Sequence, residues 1–323
     1  MKTALIPLFL LLSFSSLSTK ADSLPEIITA GSDGVIKLWE MTGKSAGILG
    51  KHEGGVNALV LLKSGAKERV ASVGEDGTLR IWDVGKKKQD SKIEAHKGAA
   101  LCIALSHDGT LIATGGADGR ICLFETVSSS RLSETGAHSD SIRGIAFTTD
   151  DKEIVSVGDD KTLRLWKVQL EGSSYSLSYR SNLFAHDSPV LGLAVTPDSK
   201  LAATISDDGY LKTWRLEGNE LHNRIKVCGK GLVSIACSPD GNLFATGDSE
   251  GRVRLWKCGT GMMLPFSGKH DREVTAIAFS ADGEILITGS ADHHLHFWNI
   301  KSSERLADIA AHDGVIRAIV LRK

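Results

Sequence analysis

The sequence predicts an all-β chain built from four-stranded units that repeat about every 43 residues. Three observations carry this reading. Six Trp residues, Trp39, Trp82, Trp166, Trp214, Trp256 and Trp298, with Phe124 filling one gap, stand 43, 42, 42, 48, 42 and 42 residues apart. Between them, runs of about five apolar and β-branched residues are bounded by turn sequences. SHDG (106–109), SPDG (238–241) and SADG (280–283) join the first run of a unit to the second, and EDG (75–77), ADG (117–119) and DDG (207–209) join the second to the third. No long stretch shows the 3.6-residue apolar period of a helix.

In chain order, the first segment differs from everything after it. MKTALIPLFLLLSFSSLSTKA has an early Lys, an apolar stretch from Ala4 to Leu12, and then small polar residues, with Thr19 and Ala21 in the small-x-small positions of a cleavage site. These are the three regions of a secretory signal, so residues 1–21 are expected to be a cleaved signal peptide. The apolar part is too short and too Ser-interrupted for a span of about 20 apolar residues. Export to the periplasm or secretion is the expected location, with no stable membrane anchor. A cytosolic protein with a misassigned start is the alternative.

From residue 22 onward one pattern recurs, as in AHSDSIRGIAFTTDDKEIVSVGDDKTLRLW (137–166). A His precedes an apolar strand; a turn, a second strand, an x-Asp-Gly turn and a third strand ending in Trp follow; a weaker fourth strand leads to the next His. The pattern is complete as His52, Ser72, Asp76, Trp82; as His138, Ser156, Asp160, Trp166; as His186, Thr204, Asp208, Trp214; and as His270, Thr288, Asp292, Trp298. The third unit has Phe124 for Trp behind His96, Thr114 and Asp118. The sixth has Cys228 for His and Glu250 for Asp around Thr246 and Trp256.

Over residues 24–323 this sequence resembles the WD-repeat β-propeller family, the literal Trp-Asp pair being Trp82-Asp83. The resemblance implies a seven-bladed β-propeller of four-stranded antiparallel blades over residues 22–323, with the His–Ser/Thr–Asp–Trp sets as structural networks. At the start, Thr29, Asp33 and Trp39 lack a His. At the end, AHDGVIRAIVLRK supplies His312 and one strand. The two pieces are complementary, so the C-terminal strand is expected to pair with the N-terminal strands and close the ring.

A His–Asp–Ser/Thr set invites a hydrolase reading, but a set copied into nearly every unit is structural, and no catalytic residue is expected. In ADHHLHFW (291–298), His294 and His296 alternate onto one strand face beside His293 in the turn, a spacing that could face a metal. Equivalent positions elsewhere carry Val35/Lys37, Thr78/Arg80 and Thr162/Arg164 and read as solvated, so no metal or other cofactor is expected. A metal-binding or enzymatic propeller using the channel or His293, His294 and His296 is the alternative function.

The five Cys are an odd number. Cys102/Cys122 and Cys237/Cys258 each belong to the first and third strands of one unit, about 9–10 Å apart across an intervening strand and beyond disulfide reach. Free, mostly buried thiols are expected. The net charge of -1 argues against nucleic-acid binding.

The family docks partners on the face that carries the x-Asp-Gly turns. The resemblance places Asn57, Leu101, Arg143, Leu191, Val233, Thr275 and Arg317 there, each five residues after its His (or Cys228), with Glu75, Asp159 and Asp207 just before turn acids. Arg143 and Arg317 are expected among those acids, and Leu191 and Val233 as an apolar patch. Together these readings imply a monomeric, non-enzymatic scaffold that binds protein partners within a complex. The 48-residue step holds VQLEGSSYSLSYRSNLF (168–184), read as a longer connection with Tyr175 and Tyr179 on the opposite face.

Overall fold

The computed structural model describes residues 26–64, 67–172, 174–229 and 231–322; the expected signal peptide lies outside them. The described residues form seven four-stranded antiparallel sheets and contain no helix. Each sheet is one blade of a ring, numbered here by its Trp or Phe in chain order. The repeat sets this up directly: every short turn sends the chain back beside itself, and the fourth strand carries it out to the next blade.

Within a blade, burial follows strand position. The second strands are closed in by the blades on either side and are buried along most or all of their length, fully so in Ile27–Gly31 and Leu111–Gly116. Outer strands alternate exposed and half-buried residues, as in Lys88–Glu94, because one face meets water. The core is a set of clusters at the blade junctions. Trp82 of blade 2, for instance, packs with Ile28, Ile36, Leu38 and Leu49 of blade 1. Fully burying one such aliphatic side chain contributes about 1.5–3 kcal/mol, so blade-to-blade contact is the main stabilising surface.

The ring closes where the sequence predicts. Ile316–Leu321 pairs antiparallel with Ile27–Gly31, with Ile27 opposite Leu321 and Ala30 opposite Ala318. Two blades depart from the common length. In blade 4, Thr162–Glu171 and Ser174–Phe184 make one long hairpin, with Tyr175 packed on the core and Tyr179 standing edge-on to Trp166 at 5.8 Å. In blade 6 the outer strand shrinks to Gly268–Lys269, and Phe266 stands edge-on to Trp298 of blade 7.

None of the five thiols is in a disulfide; Cys102, Cys122 and Cys258 are buried, Cys228 and Cys237 half-buried. Burial pushes the pKa of Cys102 and of Cys122 up to about 12. The strand count misjudges one pair: Cys258 lies just past the end of its strand, and its thiol comes close enough to Cys237 that the neighbouring thiol, with burial, pushes the Cys258 pKa up.

Candidate functional site

The repeated polar set forms a relay inside each blade. In blade 5, Trp214 Nε1 donates to Thr204 Oγ1 at 2.9 Å, the hydroxyl meets His186 Nε2 at 2.8 Å, and His186 Nδ1 meets Asp208 at 2.9 Å. A carboxylate only accepts, so Nδ1 carries the proton. Nε2 of a neutral ring then accepts from the hydroxyl, whose oxygen is left to take the Trp N–H. The same chain runs through Trp82–Ser72–His52–Asp76, Trp166–Ser156–His138–Asp160 and Trp298–Thr288–His270–Asp292. In blade 1 it joins the chain ends: Trp39 to Thr29, Thr29 to His312, and His312 to Asp33.

Electrostatics agree with a neutral imidazole. Burial holds the pKa of each network His below 6.5 and outweighs the attraction of its Asp partner. Burial pushes the partner carboxyls upward, but their hydrogen bonds from His and backbone outweigh it and hold them below 3.8. With its hydroxyl engaged on both sides, the set has no free nucleophile.

Blade 3 keeps His96, Thr114 and Asp118 without the Trp. In blade 6 the sequence reading is corrected. Glu250 is exposed, and the buried carboxylate is Asp248, which takes bonds from Arg252 Nε (2.9 Å) and Arg254 Nη1 (2.8 Å). The expectation of solvated positions at the start of the third strands is also corrected. Thr78, Arg80 and Thr162 are buried. Arg80 and Arg164 reach across to Asp76 and Asp160 and to the carbonyls of Lys51 and Ala137.

At the channel mouth, the seven residues five places after each His (or Cys228) share one backbone feature. Asn57, Leu101, Arg143, Leu191, Val233, Thr275 and Arg317 are each skipped in the pairing between first and second strands. A bulge of this kind re-aims a side chain out of the sheet pattern. All seven line one cavity of about 630 Å³, together with Glu75. The bulge is what the sequence reading missed; no residue pattern marks it except the fixed distance from the His.

Two ion pairs organise the rim. Arg143 grips Asp159 with two nitrogens, Nε at 2.9 Å and Nη2 at 2.7 Å. Arg317 crosses from blade 1 to blade 2, donating to Glu75 Oε1 (2.7 Å) and Asn57 Oδ1 (2.9 Å). The Arg317 hydrogen bond pulls the Glu75 pKa down. Leu101, Leu191 and Val233 are half-buried along the same wall. Thr275 turns its hydroxyl to the Ile316 carbonyl and bridges blades 7 and 1. Asp207 is exposed and does not line the cavity. The rim also offers room for a ligand without a nucleophile–base pair among these side chains.

His294 and His296 come together with Asp308 of the neighbouring strand, a carboxylate the sequence reading did not place there; His293 stays in its turn at φ 73° and is not part of the cluster.

Comparison with known proteins adds a consistent picture. A family model described as the IFT122 first beta-propeller matches residues 60–323. Actin-interacting protein 1-2 of Arabidopsis thaliana is 29% identical over 147 residues, covering 44% of this chain and 24% of that protein. Striatin of Mus musculus is 28% identical over 173 residues, covering 47% of this chain and 21% of striatin. WD repeat-containing protein 1 of Mus musculus is 28% identical over 153 residues, covering 46% of this chain and 25% of that protein. The aligned stretches thus span a quarter or less of each relative's own length.

Proposed function

Since the chain belongs to the WD-repeat β-propeller family, we propose that it is a non-enzymatic scaffold that docks a protein partner at the channel mouth of its ring. The observation that carries this reading is the convergence of seven bulged side chains, one per blade, on a single cavity. Bulges cost ladder hydrogen bonds, and a ring that made one in every blade at the same depth uses them to present side chains. Arg143 and Arg317, half-neutralised by Asp159 and Glu75, flank the apolar Leu101, Leu191 and Val233. Apolar centre, polar rim and Arg anchors are the composition of a protein-binding surface. The name of the Arabidopsis relative records an interaction with actin, which supports protein docking as the class of activity and leaves the partner here to experiment.

Export is the proposed location, on the composition of residues 1–21, with the propeller acting as a monomer within a complex. The test is affinity capture of tagged full-length protein from its host after fractionation, beside Arg143→Glu and Leu191→Asp/Val233→Asp variants. The expected result is a mature start at Asp22 in the exported fraction and partners lost from both variants while circular dichroism is unchanged. Partners retained by both variants would overturn the docking face. An intact Met1 in the cytosol would overturn export and leave the docking face standing.

A further inference from the structure

The third strand of every blade has one position that pairs with the network Ser or Thr. Five blades place a cation there: Lys37, Arg80, Arg164, Lys212 and Arg254. Four of these donate to the carbonyl just before a network His (Ala311, Lys51, Ala137 and Ala185), and Arg254 donates to Asp248. Blade 3 has Cys122, which reaches the equivalent Ala95 carbonyl. Blade 7 has His296. The ring lies flat on His270, centroids 3.8 Å apart and planes within 9°, and its Nδ1 is buried with no hydrogen-bond partner.

What faces this imidazole is a carboxylate. Asp308 is the direct cross-strand partner of His296, where Arg80, Arg164 and Lys212 face Lys92, Asn182 and Arg224. Asp308 Oδ1 lies 2.6 Å from His294 Nδ1 and Oδ2 lies 3.4 Å from His296 Nε2. The three donor atoms fall within 4.8 Å of one another. We propose that His294, His296 and Asp308 bind a divalent transition-metal ion, of which zinc is the representative, on the outer wall of blade 7.

Metal bonds of about 2.0–2.2 Å place donor atoms roughly 3–3.6 Å apart, so the site closes by a movement of about 1 Å. Two of the three ligands can make it: the His294 and Asp308 side chains are 41% and 39% exposed, while His296 is held by its stack. Two imidazoles and one carboxylate are a donor set for zinc, nickel or copper, with a fourth position open to water. The occupant to displace is Arg305, whose Nη1 lies 3.3 Å from both His296 Nε2 and Asp308 Oδ2 on a half-exposed side chain. Metal and guanidinium compete for one place, and this makes the proposal specific.

The test is titration of chelator-stripped full-length protein with zinc alone, by calorimetry, with metal content checked by mass spectrometry. Wild type is expected to take up one equivalent. His294→Ala and Asp308→Asn, both at exposed side chains, are expected to bind at least tenfold more weakly, and Arg305→Ala at least threefold more tightly. Absence of saturable uptake, uptake unchanged in His294→Ala and Asp308→Asn, or unchanged or weaker binding in Arg305→Ala would each overturn it.

Discussion

Replacing Thr204 by Val keeps the shape of the side chain and deletes one hydroxyl at a fully buried position. Two groups then lose their partner: Trp214 Nε1–H, held at 2.9 Å, and His186 Nε2, held at 2.8 Å. Leaving a buried donor or acceptor unsatisfied costs about 1–3 kcal/mol, so Thr204→Val should cost roughly 2–6 kcal/mol. The molecule carries its own controls. In blade 3 Phe124 has no N–H, so Thr114→Val strands only His96 Nε2. In blade 6 Cys228 stands for the His, so Thr246→Val strands only Trp256 Nε1–H. Each control should cost about 1–3 kcal/mol, half the blade 5 value. The assay is urea denaturation followed by circular dichroism, comparing midpoints at constant slope. If Thr204→Val and Thr114→Val cost the same within about 0.5 kcal/mol, the relay does not carry the Trp N–H as described.

Stability should also depend on pH through the six neutral histidines. Their folded pKa values lie below 6.5, so the unfolded chain protonates first as pH falls. The contribution is complete above that pH and is lost below it, at no more than about 1.4 kcal/mol per pH unit for each histidine. The Asp partners, lowered from 3.8, add a further loss below that value; a flat profile of denaturation midpoints between about pH 7 and 5 would refute the neutral rings. Gly50→Ala should destabilise by about 1–3 kcal/mol, because its new Cβ would sit 2.0 Å from Cζ3 of Trp82; a thermal melt unchanged from wild type would show that the ring can move. Ellman's reagent should find at most Cys228 and Cys237 in the native protein and all five thiols in denaturant, since burial protects Cys102, Cys122 and Cys258; rapid native labelling of Cys102 would contradict its place in the core.

Elements that repeat were legible because seven copies average away local ambiguity. The strand order, the relay residues and the pairing of His312 with the N-terminal blade follow from the spacing of Trp and His. What was not legible depends on register between strands. Asp308 is twelve residues from His296, and only the bulge between Phe297 and Trp298 determines that the two face each other. The burial of Arg80 and the half-burial of Arg164 were hidden because a charged residue in a strand reads as solvated unless the carbonyl and carboxylate that satisfy it are known. Asp248 was passed over for Glu250 because the repeat points to one turn position, while two arginines recruit the acid two residues earlier.

The bond between Thr29 and His312 spans 283 residues. A ribosome adding about 5–20 residues per second makes the first of these roughly 15–60 s before the second. For that interval Ile27–Gly31 has no inner neighbour, and its edge offers unpaired backbone groups to any other strand within reach. Blades 2 to 7 can stack as they emerge, but only as an open arc. The blade begun first is therefore the last one finished, and nascent chains should depend on a chaperone in the period before the final strand arrives.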